Sequence, residues 1–252
     1  MQSVTGKKRY EFLDSVRGFL LLEMIVYHFF WDLTNLFGVE LAWFQSATGY
    51  WWQQSVCWLF IFLSGFCWQL GTRPLRRGLL VLAGGVLVMA VTHVFVPQQA
   101  VIFGILFFLG SSMLLLRLAE PQARRLTPGQ GLLLSGLLFV VTRNINEGYL
   151  GFEQWQLLQL PTWLYQNILT TYIGFTENDF YSSDYFSLLP WLPLFLAGYY
   201  ACSWCRQRGA LPRFLTRGSD SLSWCGRRSL LIYLLHQPVL YVILQLVLRR
   251  WG

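Results

Sequence analysis

Seven long apolar runs constrain this sequence more than any other feature. A helix needs about 20 mostly apolar residues to cross a hydrocarbon core about 30 Å thick. The runs lie at residues 17–37, 50–71, 78–97, 99–117, 129–143, 187–205 and 229–249. Only 12% of the residues are charged, whereas an ordinary soluble domain carries about a quarter. The sequence therefore predicts an all-α fold, a polytopic membrane helix bundle of about seven transmembrane helices that forms a single domain over residues 1–252.

The basic residues fall on alternate sides of these runs, before the first and after the second, fourth and sixth. Sixteen of the nineteen Lys and Arg residues follow this pattern: Lys7, Lys8, Arg9, Arg17, Arg73, Arg76, Arg77, Arg117, Arg124, Arg125, Arg206, Arg208, Arg213, Arg217, Arg227 and Arg228. Because cytoplasmic loops are rich in Lys and Arg, the N-terminus is expected to be cytoplasmic. The same pattern explains the net charge of +7 without a nucleic-acid partner.

The loop at residues 144–186 is expected to lie outside, and it contains an uncharged stretch from Trp155 to Phe175. A crossing there would move the next arginine-rich loop to the outer side, so we interpret this stretch as interfacial or re-entrant. We find no cleavable signal and no Asn-x-Ser/Thr sequon, which favours a multi-pass protein of a bacterial inner (cytoplasmic) membrane. Cys202 and Cys205 lack a second cysteine pair, so we expect a packing role and no metal.

The first run carries titratable side chains, which are costly inside a membrane and tend to face a cavity or one another. At about 100° per residue, Asp14, Arg17, His28 and Asp32 share one helical stripe, and Glu23 lies away from it. His28 and Asp32 are an i, i+4 pair. The carboxylate is therefore expected to hold one imidazole nitrogen and leave the other as a base. The plainer alternative is that these groups join helices by interhelical hydrogen bonds.

His236 lies in the last run, two residues before Pro238. The proline cannot donate a backbone hydrogen bond to Leu234, so a kink is expected, and a kink inside a membrane usually lines a cavity or another helix. We therefore expect His236 to face the same space as His28.

Five stretches carry a resemblance to known families. The segment RYEFLDSVRGFLLLEMIVYHFFWDL, Arg9 to Leu33, resembles the first helix of bacterial integral-membrane O-acyltransferases, whose catalytic histidine falls on His28. Four others are similar to bacterial relatives of heparan-alpha-glucosaminide N-acetyltransferase: LFIFLSGF from Leu59, VIFGILFFLG from Val101, FSLLPWLPLFLAGYY from Phe186 and GRRSLLIYLLHQPVL from Gly226. Two features depart from those relatives: residues 38–49 contain no histidine, and Phe107 stands where many relatives have one.

The resemblance implies transfer of an acetyl or other acyl group from cytoplasmic acyl-CoA to a glycan or amino sugar outside. It makes His28 the general base and Asp32 its orienting partner, with acetyl-CoA as cosubstrate and no metal. Candidate acyl-CoA contacts are Arg17, Arg76, Arg77, Arg227, Arg228 and His236; candidate acceptor contacts are Glu23, His93, Trp43 and Trp51. The plainer alternatives are that the arginines only mark topology and that the tryptophans anchor the chain at the membrane surface.

The expected partners are membrane lipids and the sugar or glycan acceptor, and the sequence leaves a homo-oligomer open. A second hypothesis is a proton-coupled carrier or flippase, with Glu23, His28, Asp32 and His93 as the relay. Against it, we find no inverted repeat and no matched pair of broken helices. A third hypothesis is a binding or scaffolding subunit of a larger envelope complex.

Overall fold

A computed structural model describes residues 10–209, 215 and 217–251, with side chains through residue 247. Lys7, Lys8, Arg9 and Arg213 of the charge pattern lie outside the described residues. Within the described chain the helices are α1 Glu11–Asn35, α2 Ala47–Trp68, α3 Pro74–Phe95, α4 Ile105–Ala123, α5 Pro128–Val141, α6 Ile168–Ile173, α7 Leu188–Gln207, α8 Asp220–Arg227 and α9 Ser229–Trp251.

The apolar runs correspond to α1–α5, α7 and α9, so the chain is a mostly helical membrane protein. Three segments in the described chain are long and apolar enough to cross a membrane by length and composition: Pro74–Phe95, Leu188–Gln207 and Ser229–Val247. Helix α5 is apolar but only 14 residues long. Helix α1 is long, but the polar side chains that carry the candidate site lower its hydropathy.

A small hairpin between α5 and α7 departs from the all-α prediction. Strand β1, Tyr149–Phe152, pairs antiparallel with β2, Trp155–Gln159. Their tight turn contains Glu153 at a φ of 52°, a left-handed conformation that two-residue hairpin turns require. Glu153 is held there because its backbone N–H donates to Asn144 Oδ1 at 2.6 Å and its carboxylate lies 3.2 Å from Arg143. The sequence predicted no strands in this loop, because contacts from outside the hairpin, rather than local periodicity, stabilise its turn.

The stretch that resembled an eighth span is divided among short elements. It contains β2, a 3-10 turn at Thr162–Leu164 and the six-residue α6, and residues 144–186 are all described. No helix of spanning length lies in this described stretch, in agreement with the rejection of an eighth crossing. All five residues of β2 are exposed.

The described residues fall into two compact units. The first comes from residues 1–60 and 210–252 and contains α1, the first part of α2, α8 and α9; the second, residues 61–209, contains the end of α2, α3–α7 and the hairpin. In the second unit α3 packs along α4 and α5 packs along α7. Phe108, Phe195 and Ile61 are fully buried in this unit.

In the first unit, α1 and α8 cross at two facing glycines. A Cβ on Gly18 would lie 2.0 Å from the carbonyl oxygen of Leu222, and one on Gly226 would lie 1.9 Å from that of Asp14. Beside this crossing, the hydroxyls of Ser15 and Ser223 hydrogen-bond at 2.8 Å. Small residues of this kind let helix backbones approach closely. Since α9 follows α8 after a single residue, the crossing also anchors the start of α9 next to α1.

Candidate active site

The candidate active site lies between α1 and α9, where two histidines meet. The ring centroids of His28 and His236 are 5.0 Å apart, with the planes inclined by 57°. His28 is half-buried and His236 is 8% exposed. The expectation that both histidines face one space is confirmed.

Asp32 has a different partner from the one the sequence predicted. Its side chain is fully buried, and Oδ1 accepts a hydrogen bond of 2.6 Å from the Gln237 amide on α9. It makes no hydrogen bond with His28, so the predicted orienting contact is wrong. The i, i+4 spacing allows the side chains of His28 and Asp32 to contact each other. Instead, the Asp32 carboxylate accepts its hydrogen bond from the Gln237 amide of the facing helix.

Each of these four side chains has one buried polar atom without a hydrogen-bond partner. The atoms are Nδ1 of His28, Oδ2 of Asp32, Nε2 of His236 and Oε1 of Gln237. Leaving such an atom unsatisfied costs about 1–3 kcal/mol, so native proteins keep few of them. Four in one small cluster therefore mark a place adapted to chemistry or to a polar ligand rather than to stability.

The helix backbone fixes the tautomer of His236. Its Nδ1 contacts the carbonyl oxygen of Tyr233 one turn earlier. A carbonyl oxygen only accepts, so Nδ1 carries the proton and donates, and in the neutral ring Nε2 keeps its lone pair. This Nε2 is the atom of His236 that is buried without a partner. His236 therefore presents a basic nitrogen in a fixed orientation beside His28.

Glu23 and the tryptophans lie in or near an aromatic cluster of the first unit. The Glu23 carboxylate accepts a 2.9 Å hydrogen bond from the indole N–H of Trp52. Trp43 stacks on Trp52 at 6.3 Å, and Tyr27 lies 5.5 Å from Trp52 and 6.0 Å from His28. Trp43 is 44% exposed. The cluster thus connects two candidate acceptor residues, Glu23 and Trp43, through Trp52 and Tyr27 to His28.

Trp51 and His93 are the other two candidate acceptor contacts. Trp51 is 47% exposed and contacts Tyr50 and Trp58. His93 is exposed near the end of α3, in the second unit.

The five arginines proposed for acyl-CoA are divided between the units. In the first unit, Arg17 is paired with Asp14 at 3.1 Å, and Arg227 and Arg228 are exposed. In the second, Arg76 is exposed and Arg77 is partly exposed. The first unit therefore contains His28, His236, Asp32 and Glu23. Of its three candidate arginines, Arg17 already forms an ion pair with Asp14.

Sequence reasoning missed Gln237 and the backbone carbonyl of Tyr233. The signal for Gln237 was present, because an uncharged amide between a histidine and a proline inside an apolar run needs a polar partner. No sequence signal identifies the carbonyl of Tyr233, since every residue carries one. Among the described residues, no group of three His, Cys, Asp or Glu side chains is arranged to hold a metal ion.

Comparison with known proteins gives one family. Residues 9–238 match the family model described as heparan-alpha-glucosaminide N-acetyltransferase, catalytic. The matched range includes His28, Asp32, His236 and Gln237. No curated protein and no solved structure matches the chain.

Proposed function

The chain belongs to the family of the heparan-alpha-glucosaminide N-acetyltransferase catalytic domain, and on that basis we propose that it transfers an acetyl or other acyl group from acyl-CoA to a glycan or amino sugar. Membership of this family implies transferase activity. The donor, the acceptor and the sides from which they enter are our proposal. The observation that supports it best is the close pair of imidazoles on α1 and α9, with ring centroids 5.0 Å apart.

The proposed topology follows the basic residues. Helices α1–α5, α7 and α9 cross a bacterial inner membrane, and the N-terminus lies in the cytoplasm. Each of these helices coincides with an apolar run. Three of them are long and apolar enough to cross a membrane by length and composition alone. Acyl-CoA then enters from the side of the arginine-rich loops, and the acceptor enters from the side of the hairpin.

In the proposed mechanism His28 is the general base. It removes the proton from an acceptor hydroxyl or amine as that atom attacks the thioester carbonyl. A carbon–oxygen or carbon–nitrogen bond forms, the carbon–sulfur bond breaks, and the leaving thiolate takes the proton back from the imidazolium. His236, whose Nε2 lone pair lies in the same cluster, is a second imidazole able to hold that proton.

Asp32 acts on this chemistry indirectly. Its carboxylate holds the Gln237 amide, and Gln237 is the neighbour of His236 on α9. The Asp32–Gln237 bond therefore keeps α9 in the register that sets the two imidazoles 5.0 Å apart. This assigns Asp32 a positioning role instead of direct orientation of His28.

The test uses purified full-length protein in detergent, radiolabelled acetyl-CoA and a panel of amino sugars and glycans. His28→Ala is expected to abolish transfer of label while the protein still elutes as a single folded species. Val26→Ala is the matched control, because Val26 is on the same helix and exposed. Transfer at the wild-type rate by His28→Ala would refute the assignment.

A further inference from the structure

A second polar site lies in the second unit, at the ends of three helices. It is a pocket of about 280 Å³ lined by Gln69, Arg124, Tyr199, Ser203, Arg206 and Gln207. Gln69 follows the end of α2, Arg124 follows the end of α4, and the other four belong to the last turns of α7. None of these residues takes part in the proposed chemistry at His28.

Gln69 organises the α7 side of the pocket. Its amide nitrogen donates to the carbonyl oxygen of Tyr199 at 3.1 Å and to the hydroxyl of Ser203. Its amide oxygen accepts from the Arg206 guanidinium at 3.5 Å. Gln69 is thus oriented by the backbone of α7, and it holds one nitrogen of Arg206 at the pocket. The remaining N–H groups of Arg206 stay available to a ligand.

Arg124 is positioned on the α4 side by Glu120. The Nε and Nη2 atoms of Arg124 donate to Glu120 Oε1 at 3.0 and 2.6 Å, and the guanidinium also hydrogen-bonds the side chain of Tyr199, another residue of the pocket lining. The same carboxylate lies 3.7 Å from Arg117. One carboxylate therefore faces the guanidiniums of Arg117 and Arg124, and Arg206 adds a third positive charge. The pocket has a net positive charge and an excess of N–H donors.

From this geometry we infer that the pocket binds an anionic phosphate ester. Guanidinium groups match phosphate oxygens in both charge and planar geometry, and such charge-assisted hydrogen bonds are among the strongest in proteins. The pocket volume of about 280 Å³ is large enough for a phosphate group.

Two sources share this phosphate chemistry. One is the phosphate portion of coenzyme A, which would deepen the proposed function and rests on it. The other is the head group of an anionic lipid, because clustered basic residues at a membrane surface attract such lipids. In the first case the donor is held by Arg124 and Arg206, neither of which was among the arginines assigned to acyl-CoA from the sequence.

Equilibrium binding of radiolabelled coenzyme A to the full-length protein in neutral detergent tests the first source. Arg124→Gln and Arg206→Gln each remove a charge from the pocket, and each is expected to raise the Kd on the order of tenfold. The matched controls are Arg125→Gln and Arg208→Gln, which are exposed neighbours outside the pocket lining. The controls are expected to change the Kd by less than about twofold, since neither side chain lines the pocket and salt weakens the interaction of exposed charges with the ligand.

Thermal unfolding in nanodiscs of phosphatidylcholine, with or without phosphatidylglycerol, tests the second source. If a lipid phosphate is the ligand, phosphatidylglycerol raises the Tm of the wild type, and Arg206→Gln loses that rise while Arg208→Gln keeps it. Unchanged behaviour of both pocket variants towards both ligands would overturn the inference. An equal loss in the control variants would overturn it as well.

The same preparations separate this inference from the proposed function. Protein that binds coenzyme A through the two pocket arginines but transfers no acyl group would refute the proposed function and leave the pocket assignment intact. Protein that transfers acyl groups while its pocket variants bind coenzyme A and lipid normally would refute only the pocket assignment. Gln69→Leu adds a positioning test, because loss of the amide frees Arg206 and is expected to weaken binding by less than loss of the arginine itself.

Discussion

Replacing Gly226 with alanine is expected to separate α8 from α1. Because α9 follows α8 directly, we also expect the contact between His28 on α1 and His236 on α9 to be disturbed. The new Cβ would lie 1.9 Å from the carbonyl oxygen of Asp14. Real Cβ atoms essentially never lie within 3.0 Å of such an atom. Both sides of the contact are backbone, so no side chain can rotate away. One helix must therefore move by roughly 1 Å.

The energetic cost follows from this displacement. Overpacking of a close contact costs about 1–3 kcal/mol, and lengthening the 2.8 Å hydrogen bond between Ser15 and Ser223 costs about 1 kcal/mol more. Alanine returns about 1 kcal/mol of helix propensity. The expected net loss is about 1–3 kcal/mol in the free energy of unfolding.

Gly136→Ala is the matched control. A Cβ at Gly136 meets nothing within 4 Å, so the same substitution in α5 is expected to stabilise the helix by up to about 1 kcal/mol. Thermal unfolding in detergent, followed by tryptophan fluorescence, should show a lower Tm for Gly226→Ala and an equal or higher Tm for Gly136→Ala. Both variants add one methyl group to a helical glycine, and only the one at Gly226 meets backbone atoms. If Gly226→Ala proved as stable as Gly136→Ala, the crossing described for α1 and α8 would be refuted.

Two further predictions concern buried polar contacts. Gln237→Leu leaves the fully buried carboxylate of Asp32 without its donor, and we expect a loss of about 1.5–3 kcal/mol in unfolding free energy that Asp32→Asn partly restores in a double-mutant cycle. Additive effects of the two changes would contradict that coupling. Asn144→Ala removes the acceptor of the Glu153 N–H and the donor to Glu147, and proteolysis of the hairpin loop is expected to accelerate by about tenfold or more. An unchanged cleavage rate would mean that Asn144 does not stabilise the turn.

The helices could be predicted largely because apolar runs of spanning length have few alternatives. Helix α1 begins at Glu11, six residues before the run that predicted it. Hydropathy does not detect this first turn and a half, because it carries Glu11 and Asp14. Helix α8 was not predicted at all. Its buried residues are Ser223 and Gly226, so its stability comes from α1 and not from an apolar stripe of its own.

The candidate site could be predicted in part. Pro238, two residues after His236, led us to expect that His236 lies close to His28. The structure places the two rings 5.0 Å apart. The sequence marks Gln237 as an amide that needs a polar partner, but it does not identify Asp32 as that partner. Helical spacing gives only the neighbours along one helix, whereas packing decides which side chains of two facing helices meet. The same limit hid the phosphate pocket, whose six lining residues come from the ends of three helices.

The bond between Asp32 and Gln237 joins residues 205 positions apart in the sequence. At ribosomal rates of about 5–20 residues per second, α1 emerges roughly 10–40 seconds before its partner on α9 has been made. For that interval the Asp32 carboxylate has no Gln237 amide to hold. The hydrogen bond between α1 and α9 can therefore form only after α9 has been made, as a late event in folding.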